Sequence, residues 1–140
     1  IKTITKLFAP KFHFYKGKVS SKKEGLQKYK FSICFENARD IPGYITEKIF
    51  DYFFASCIPI YWGANNIEEH IPKNCFIDFT QFSDLEEMYQ YLITMPDSVY
   101  QNYLNNIHFY LNSGASHQYS ISYFSNKIVS IILKELEVEK

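Results

Sequence analysis

The chain has 140 residues, of which 46% are hydrophobic and 19% aromatic, and its 15 basic side chains equal its 15 acidic ones in number. This composition suits a single domain with its own core and excludes an intrinsically disordered chain. The net charge of zero gives no general attraction to nucleic acid, and no apolar run is long enough to cross a membrane. The three cysteines have neither zinc-site spacing nor the even count of a disulfide framework, so we expect buried free thiols.

The beginning of the chain has no steady hydrophobic period. We predict a short strand and then a polar loop within residues 12–25, and Ile4, Leu7 and Phe8 have the spacing of a helix that ends there. The sequence starts at Ile1 without a methionine or a signal-like segment, so we expect a piece of a longer protein.

The middle of the sequence combines short apolar segments with one helical pattern. Residues 29–37 (YKFSICFEN) are aromatic and β-branched, as in a buried strand, and the loop 38–43 (ARDIPG) follows. From Ile45 onwards, apolar side chains recur on one face of a helix that Thr46 or a neighbour can cap. Two further short apolar segments are predicted as strands, residues 56–63 and 74–79.

Helical patterns dominate the rest of the chain. Ser83 and Glu86 have the spacing of a capping box, Pro96 opens a second helix that ends before Gly114, and a third begins near Ser120. Apolar stripes on the first two are interpreted as helix packing: Tyr89, Leu92, Ile93, Tyr100, Tyr103, Leu104, Ile107 and Leu111. The stripe on the third is expected either to cover this domain or to reach another: Ile121, Phe124, Ile128, Ile131 and Ile132.

The order of these elements is that of an α/β domain with a parallel sheet and helices on its faces. Ligands of such sheets bind beyond the carboxyl ends of the strands. This rule places the segments FEN (35–37), YITEK (44–48) and WGANN (62–66) along one rim. Trp62 is interpreted as a core residue more readily than as part of a pocket lining.

The segment 44–48 combines groups that suit a phosphorylated ligand. A helix that starts near Ile45 offers unpaired N–H groups to an anion, Lys48 adds a positive charge, and Tyr44 and Thr46 can donate hydrogen bonds. Glu47 can accept hydrogen bonds from sugar hydroxyls or stabilise positive charge that develops at a reacting carbon. On this pattern alone a purely structural role is equally compatible, with Glu47 compensating the helix dipole and Lys48 paired to Asp51.

Residues 29–82 resemble the donor-binding domain of the α1,3/4-fucosyltransferases, glycosyltransferase family 10. The motifs YKFSICFEN, YITEK, IPIYWG, PKNCFI and DF occur in the family's order and spacing. The resemblance implies a Rossmann-like parallel sheet flanked by helices, the C-terminal half of a GT-B glycosyltransferase. Residues 1–140 are then a single GDP-sugar-binding domain, with a lead-in (1–28), the core motifs (29–82) and a helical part (83–140).

The resemblance also implies roles for individual residues. Lys48 would meet the diphosphate of GDP-fucose, and Glu47 would be catalytic, lying against the fucose and its emerging oxocarbenium-like charge. Asn37 and Tyr44 would bind the ribose-phosphate region, with Thr46 as a further donor and Glu36 shaping the strand-end pocket. The reaction implied is inverting transfer of L-fucose from GDP-fucose to a glycan that contains GlcNAc or glucose, such as lipopolysaccharide. No metal and no organic cofactor are expected.

The sequence departs from the family pattern in two respects. The general base of the family lies in an N-terminal domain that is missing here, and a phosphate-binding arginine normally precedes the first strand motif, where this chain has Lys2, Lys6 and Lys11. The role of Arg39 stays open. Two alternatives therefore remain: a non-catalytic Rossmann-like module for binding or packing, and a GT-B transferase that uses another nucleotide sugar.

The expected partners are GDP-fucose, a glycan acceptor and the missing N-terminal domain, with no nucleic acid. Unpatterned thiols favour the bacterial cytoplasm, with peripheral membrane attachment and the Golgi lumen left open as alternatives.

Overall fold

The structure is a computed structural model that describes residues 17–138. Its strands are β1 (Phe31–Phe35), β2 (Ile58–Trp62) and β3 (Ile77–Asp78). Its α-helices are α1 (Lys22–Leu26), α2 (Lys48–Phe54), α3 (Leu85–Thr94), α4 (Asp97–Asn112) and α5 (Ile121–Val138). Short 3-10 helices lie at Ile67–Glu69, Lys73–Cys75, Phe79–Gln81 and Gly114–Tyr119.

The three strands form one parallel sheet in the order β1-β2-β3. Phe31 is the register partner of Ile58 and Phe35 that of Trp62, so β1 and β2 end side by side. The sheet is parallel because β1 and β2 are each followed by a crossover segment, which returns the chain to the end of the sheet where the strands begin. The predicted strand segments are therefore confirmed, each trimmed at its ends.

The core lies around β2, whose first four residues are buried. Ile49 and Phe53 of α2 pack into this core, where the ring of Phe53 meets that of Tyr110 of α4 edge to face at 6.2 Å. Burial of side chains of this size is the dominant stabilising contribution to a domain of this kind. Cys34, Cys57 and Cys75 are buried free thiols, as the sequence predicts.

Two predictions for the lead-in segment meet different outcomes. The proposed strand near residue 12 and the spacing of Ile4, Leu7 and Phe8 lie outside the described residues. The predicted polar loop is wrong at residues 22–26, because these form α1, capped by the Ser21 side chain, which accepts from the N–H of Glu24.

The starts of two predicted helices are shifted. α2 begins at Lys48, not near Ile45. The cap of α3 is Asp84, whose carboxylate accepts from the N–H of Glu87, while the Glu87 carboxylate accepts from the N–H and hydroxyl of Ser83. The predicted capping box of Ser83 and Glu86 is therefore wrong: Asp84 caps the helix, and Glu87 instead holds Ser83, the residue before the cap.

Helix packing confirms most of the predicted stripe on α3 and α4. Leu92 and the α4 positions from Tyr100 to Leu111 pack on the core, whereas Tyr89 and Ile93 are 53% and 56% exposed, so a packing role for these two is wrong. Along α5 the whole apolar stripe is exposed, from Ile121 at 86% to Ile132 at 53%, so it does not cover this domain. Among residues 17–138, no helix is long and apolar enough to cross a membrane.

Candidate functional site

The carboxyl ends of β1 and β2 meet at one rim of the sheet, where three predicted motifs come together. The N–H of Glu36, directly after β1, donates to the carbonyl of Trp62 at the end of β2 at 2.8 Å. Further along the same loop, the N–H of Asp40 donates to the carbonyl of Gly63 at 2.9 Å. The residues after the two strands are therefore fixed to one another, as the strand-end rule predicts.

Glu36 fastens the segment 44–48 to the end of β1. Its side chain is completely buried and its carboxylate accepts from the N–H of Thr46 at 2.9 Å and from the Thr46 hydroxyl at 2.8 Å. The ammonium of Lys48 lies 3.3 Å from the same carboxylate. A buried carboxylate is stable only when it is paired and hydrogen-bonded, and these contacts meet that condition. Glu36 is thus a positioning residue for both Thr46 and Lys48.

Lys48 projects from the first turn of α2 towards the rim. Its ammonium donates to the carbonyl of Phe35 at 3.1 Å and to the side-chain oxygen of Asn37 at 2.9 Å, besides its pairing with Glu36. The side chain is 28% exposed and borders a cavity of about 400 Å³ between α1 and α2. The ammonium therefore sits at the strand end with its direction fixed, at the border of a cavity that it shares with Lys22 and Asp51.

The alternative pairing of Lys48 with Asp51 is wrong. Asp51 is instead paired with Lys22 of α1, at 2.6 Å between carboxylate and ammonium. This contact raises the pKa of Lys22, first through the hydrogen bond to Asp51 and then through the opposite charge. Because α1 supplies the partner of Asp51, Lys48 is left to the rim.

The N–H groups of residues 44–46 are not free, contrary to the prediction from the sequence. The N–H groups of Tyr44 and Ile45 donate to carbonyls of the preceding loop at 3.1 and 2.8 Å, and that of Thr46 donates to Glu36. The Thr46 hydroxyl also donates its only proton to Glu36. A helix start at Ile45 is therefore wrong, and the positive groups of the rim are side chains, not amides of residues 44–46.

Glu47 faces solvent at the start of α2. Its side chain is 74% exposed, 3.7 Å from the ammonium of Lys22, and it borders a cavity of about 760 Å³ between α2 and the segment that joins α4 to α5. Tyr44 is half-buried three residues earlier. The carboxylate of Glu47 is thus free to meet a ligand, whereas that of Glu36 is not.

Three aromatic rings form a cluster at the ends of the three strands. Phe35 and Trp62 meet edge to face at 5.3 Å between ring centroids, and Phe79, which directly follows β3, lies 5.0 Å from Phe35 and 5.3 Å from Trp62. The guanidinium of Arg39 lies over the Trp62 ring at 4.7 Å from its centroid. Trp62 is half-buried and lies outside the core cluster, which it meets through Phe35 and Phe79, so it belongs more to the rim than to the core that the sequence favours.

The loop 38–43 is tied down at its far end as well. The N–H of Gly43 donates to the side-chain oxygen of Asn66 at 2.7 Å, which joins this loop to the one after β2. Gly63 is required by close packing, since a Cβ there would lie 2.6 Å from Cγ of Glu36 and 2.5 Å from the Tyr61 hydroxyl. The rim is thus built from two loops that hold each other in place.

Sequence reasoning missed the aromatic cluster, the Arg39 contact and the anchoring role of Glu36. The position of Phe35, Trp62 and Phe79 at successive strand ends was a usable signal, because strand ends of a parallel sheet are neighbours. Within residues 17–138 there is no group of three His, Cys, Asp or Glu side chains able to hold a metal ion.

Comparison with known proteins agrees with this architecture. Residues 6–131 match the model of the C-terminal region of glycosyltransferase family 10 (fucosyltransferase). An α-(1,3)-fucosyltransferase of Helicobacter pylori is 38% identical over 105 residues, which are 67% of this chain and 22% of that protein. An α-(1,4)-fucosyltransferase of Arabidopsis thaliana is 33% identical over 69 residues, 49% of this chain and 17% of that protein.

Solved structures extend the likeness to the fold. A crystal structure of an α1,3-fucosyltransferase with GDP-fucose has a TM-score of 0.55 and 37% identity over 61% of this chain and 26% of that one. Another α1,3-fucosyltransferase crystal structure has a TM-score of 0.57 and 32% identity over 69% of this chain and 27% of that one. The chain thus spans about a quarter of these proteins. The likeness confirms the predicted fold class, a Rossmann-like sheet of the C-terminal half of a GT-B glycosyltransferase.

Proposed function

The chain belongs to the fucosyltransferases of glycosyltransferase family 10, and on this basis we propose that it is the donor-binding domain of an inverting fucosyltransferase that uses GDP-fucose. In the reaction, an acceptor hydroxyl oxygen forms a bond to C1 of fucose while the bond from C1 to the β-phosphate oxygen breaks. GDP leaves with the electron pair, and a general base takes the hydroxyl proton. The acceptor we propose is a glycan that contains GlcNAc or glucose.

The observation that carries this proposal is the ammonium of Lys48 held at the strand-end rim. It is 2.9 Å from the side chain of Asn37 and borders an open cavity, at the edge of a parallel sheet where ligands of this fold class bind. An ammonium that Glu36 already holds in place loses little further conformational entropy when it contacts a diphosphate. We assign the diphosphate to Lys48 and the ribose-phosphate region to Asn37 and Tyr44.

Glu47 is the carboxylate that we propose to face the sugar. Its exposure of 74% leaves its oxygens available, and it is one residue from Lys48. A carboxylate there stabilises the positive charge that C1 and the ring oxygen acquire as the leaving group departs. The general base for the acceptor hydroxyl is proposed to come from the part of the family's length that this chain does not span.

Binding of nucleotides to the full-length protein tests the donor assignment. We expect GDP to bind in calorimetry at least tenfold more tightly than UDP or ADP, about 1.4 kcal/mol. Lys48→Gln removes the charge and should weaken GDP binding, and because it also leaves the Glu36 carboxylate without its cation, the melting temperature of the variant is measured to confirm that it is folded. Preference for UDP would favour the alternative nucleotide sugar, and absence of nucleotide binding in a folded protein would overturn the proposal.

Glu47→Gln separates binding from chemistry. We expect GDP affinity within about twofold of wild type and turnover of GDP-fucose reduced on the order of 100-fold, because the lost interaction strengthens only in the transition state. Equal losses in GDP affinity and turnover would show that Glu47 has a binding role instead.

A non-catalytic module is the second candidate, and one observation favours it. The charge of Lys48 is already balanced by the buried carboxylate of Glu36 at 3.3 Å, which is what a purely structural ion pair requires. The nucleotide titration decides between the two, since a structural pair gives no selectivity among GDP, UDP and ADP.

The compartment and the metal requirement are also proposals. We propose that the protein acts in the bacterial cytoplasm without a metal, and activity in the presence of EDTA tests the second statement. Loss of activity that Mn²⁺ or Mg²⁺ restores would contradict it.

A further inference from the structure

Arg39 is the chain's only arginine and lies at the rim without a function so far. It lies four residues after the end of β1, and its guanidinium lies over the indole ring of Trp62, 4.7 Å from the ring centroid. Its side chain is 61% exposed. A surface cation of this length normally samples many rotamers, and the stack on Trp62 restricts them.

The contact with the Trp62 ring takes up none of the hydrogen-bond capacity that a carboxylate or phosphate would use on the guanidinium N–H groups. The nearest carboxylate is that of Asp40, at 3.9 Å from Nε, and Asp40 is itself 73% exposed. This separation exceeds that of a hydrogen bond. Arg39 is therefore held against Trp62 without a hydrogen-bonded carboxylate, and a guanidinium can bind a phosphate through two parallel N–H groups.

The loop that carries Arg39 is held at several points. Asp40 has a φ of 60° in the left-handed region, and its N–H donates to the carbonyl of Gly63 at 2.9 Å. Gly43 is fixed to Asn66 on the loop after β2. A non-glycine residue in this conformation needs such restraint to persist, so the loop presents Arg39 in one defined place.

Arg39 and Lys48 contact the ends of two adjacent strands. Arg39 covers Trp62, the last residue of β2, while the Lys48 ammonium donates to the carbonyl of Phe35, the register partner of Trp62 on β1. Adjacent strands of a sheet are about 4.8 Å apart, so the two cations flank adjacent strand ends. They differ in one respect, because Lys48 is paired with a buried carboxylate and Arg39 is not.

We propose that Arg39 is a donor-binding residue that contacts the diphosphate of the nucleotide sugar through the edge of its guanidinium, with Trp62 as its support. The proposal rests on the proposed function, since the diphosphate is that of the GDP-sugar. The two cations then have different roles. Lys48 is paired with Glu36 at the strand end, and Arg39 supplies a cation without a hydrogen-bonded carboxylate that binds phosphate oxygens.

The test compares nucleotides with and without phosphates on matched variants of the full-length protein. Calorimetry is performed with GDP, and saturation-transfer NMR with guanosine, on wild type, Arg39→Gln, Arg39→Lys and Lys28→Gln. Lys28 is exposed and precedes β1, at the opposite end of the sheet, so its variant removes one positive charge away from the rim. Melting temperatures confirm that each variant is folded.

We expect Arg39→Gln to raise the GDP dissociation constant about tenfold while guanosine binding stays unchanged. Arg39→Lys should recover only part of the loss, because an ammonium cannot make two parallel hydrogen bonds, and Lys28→Gln should match wild type. Unchanged GDP affinity in Arg39→Gln would overturn the inference, and so would equal weakening of GDP and guanosine. Wild-type protein that does not bind GDP would instead overturn the proposed function.

Discussion

The rim around α2 and the helix α5 show two opposite ways in which a helix of this chain relates to the rest of the molecule. α2 is only seven residues long, yet it buries Ile49 and Phe53 and is tied to the strand end through Glu36. α5 has 18 residues and carries an apolar stripe, and its described side chains are exposed. The length of a helix therefore says little here about how much it contributes to the folded domain.

The contrast follows from where the contacts come from. α2 connects β1 to β2 in the sequence, so the chain itself places this helix against the sheet. α5 follows the last element that packs on the core, and among the described residues its apolar side chains meet no layer that buries them. Helix formation depends on local sequence, whereas burial depends on what the topology brings near.

Truncation of one side chain on each helix should show the largest difference. Phe53→Ala removes a ring that is 2% exposed and should lower the free energy of unfolding of this chain by about 4 kcal/mol. Ile132→Ala, at 53% exposure, should change it by less than about 0.5 kcal/mol. Urea unfolding followed by circular dichroism measures both, and similar losses would show that α5 is buried in solution.

Removal of one carboxylate from each region sharpens the comparison. Glu36→Ala leaves the Lys48 ammonium and the Thr46 N–H without their partner, so we expect a loss of about 3 kcal/mol. The control Glu135→Ala, on the exposed surface of α5, should cost less than about 0.5 kcal/mol. A loss below about 1 kcal/mol for Glu36→Ala would mean that the rim is not held by this carboxylate.

Substitution of Gly63 should have the next smaller effect on the free energy of unfolding, with Gly114 as its control. Gly63→Ala places a methyl group 2.6 Å from Cγ of Glu36, so the rim has to shift, at a cost of about 2 kcal/mol. Gly114, at the start of the 3-10 helix before α5, has no atom within 4 Å of a Cβ, and Gly114→Ala should be close to neutral. Equal melting temperatures for the two variants would contradict the close approach of Glu36 to β2.

The buried thiols have an effect on stability that appears only above pH 9 and is absent at neutral pH. Burial raises the pKa of Cys34 from 9.0 to about 12 and the pKa values of Cys57 and Cys75 to about 11. Because these pKa values are raised on folding, their contribution to stability is complete below pH 9 and is lost as pH rises from 9 towards 12.

Thiol titration at pH 8 checks the same burial directly. A disulfide reagent should modify none of the three thiols within minutes in native protein and all three in denaturant, since all lie in the sheet region and none in α5. Rapid modification of Cys34 in native protein would place the end of β1 in solvent.

Much of this architecture was predictable from the sequence. The three strand segments, the shared rim and the helices α3, α4 and α5 follow from short apolar segments and from apolar side chains at helical spacing. The start of α2 was not predictable, because Thr46 has a better partner in Glu36 than in a helix cap, and that partner is ten residues away. Propensity and periodicity do not include such a contact.

The candidate site was predictable in its location and less so in its internal pairings. The sequence places Glu36, Asn37 and Lys48 together, as the structure does. It gives no indication that Asp51 pairs with Lys22, which leaves Lys48 to the rim, or that Arg39 stacks on Trp62. These contacts join different loops, so they depend on tertiary geometry and not on spacing along the chain.

The most direct test of the account is a titration of isotope-labelled protein with GDP, followed by amide NMR. We expect the largest shifts at the ends of β1 and β2 and at residues 44–48, and none along residues 121–136. Shifts concentrated on α5, or none at the rim at saturating GDP, would contradict the claim that a nucleotide diphosphate binds at the strand ends beside Lys48.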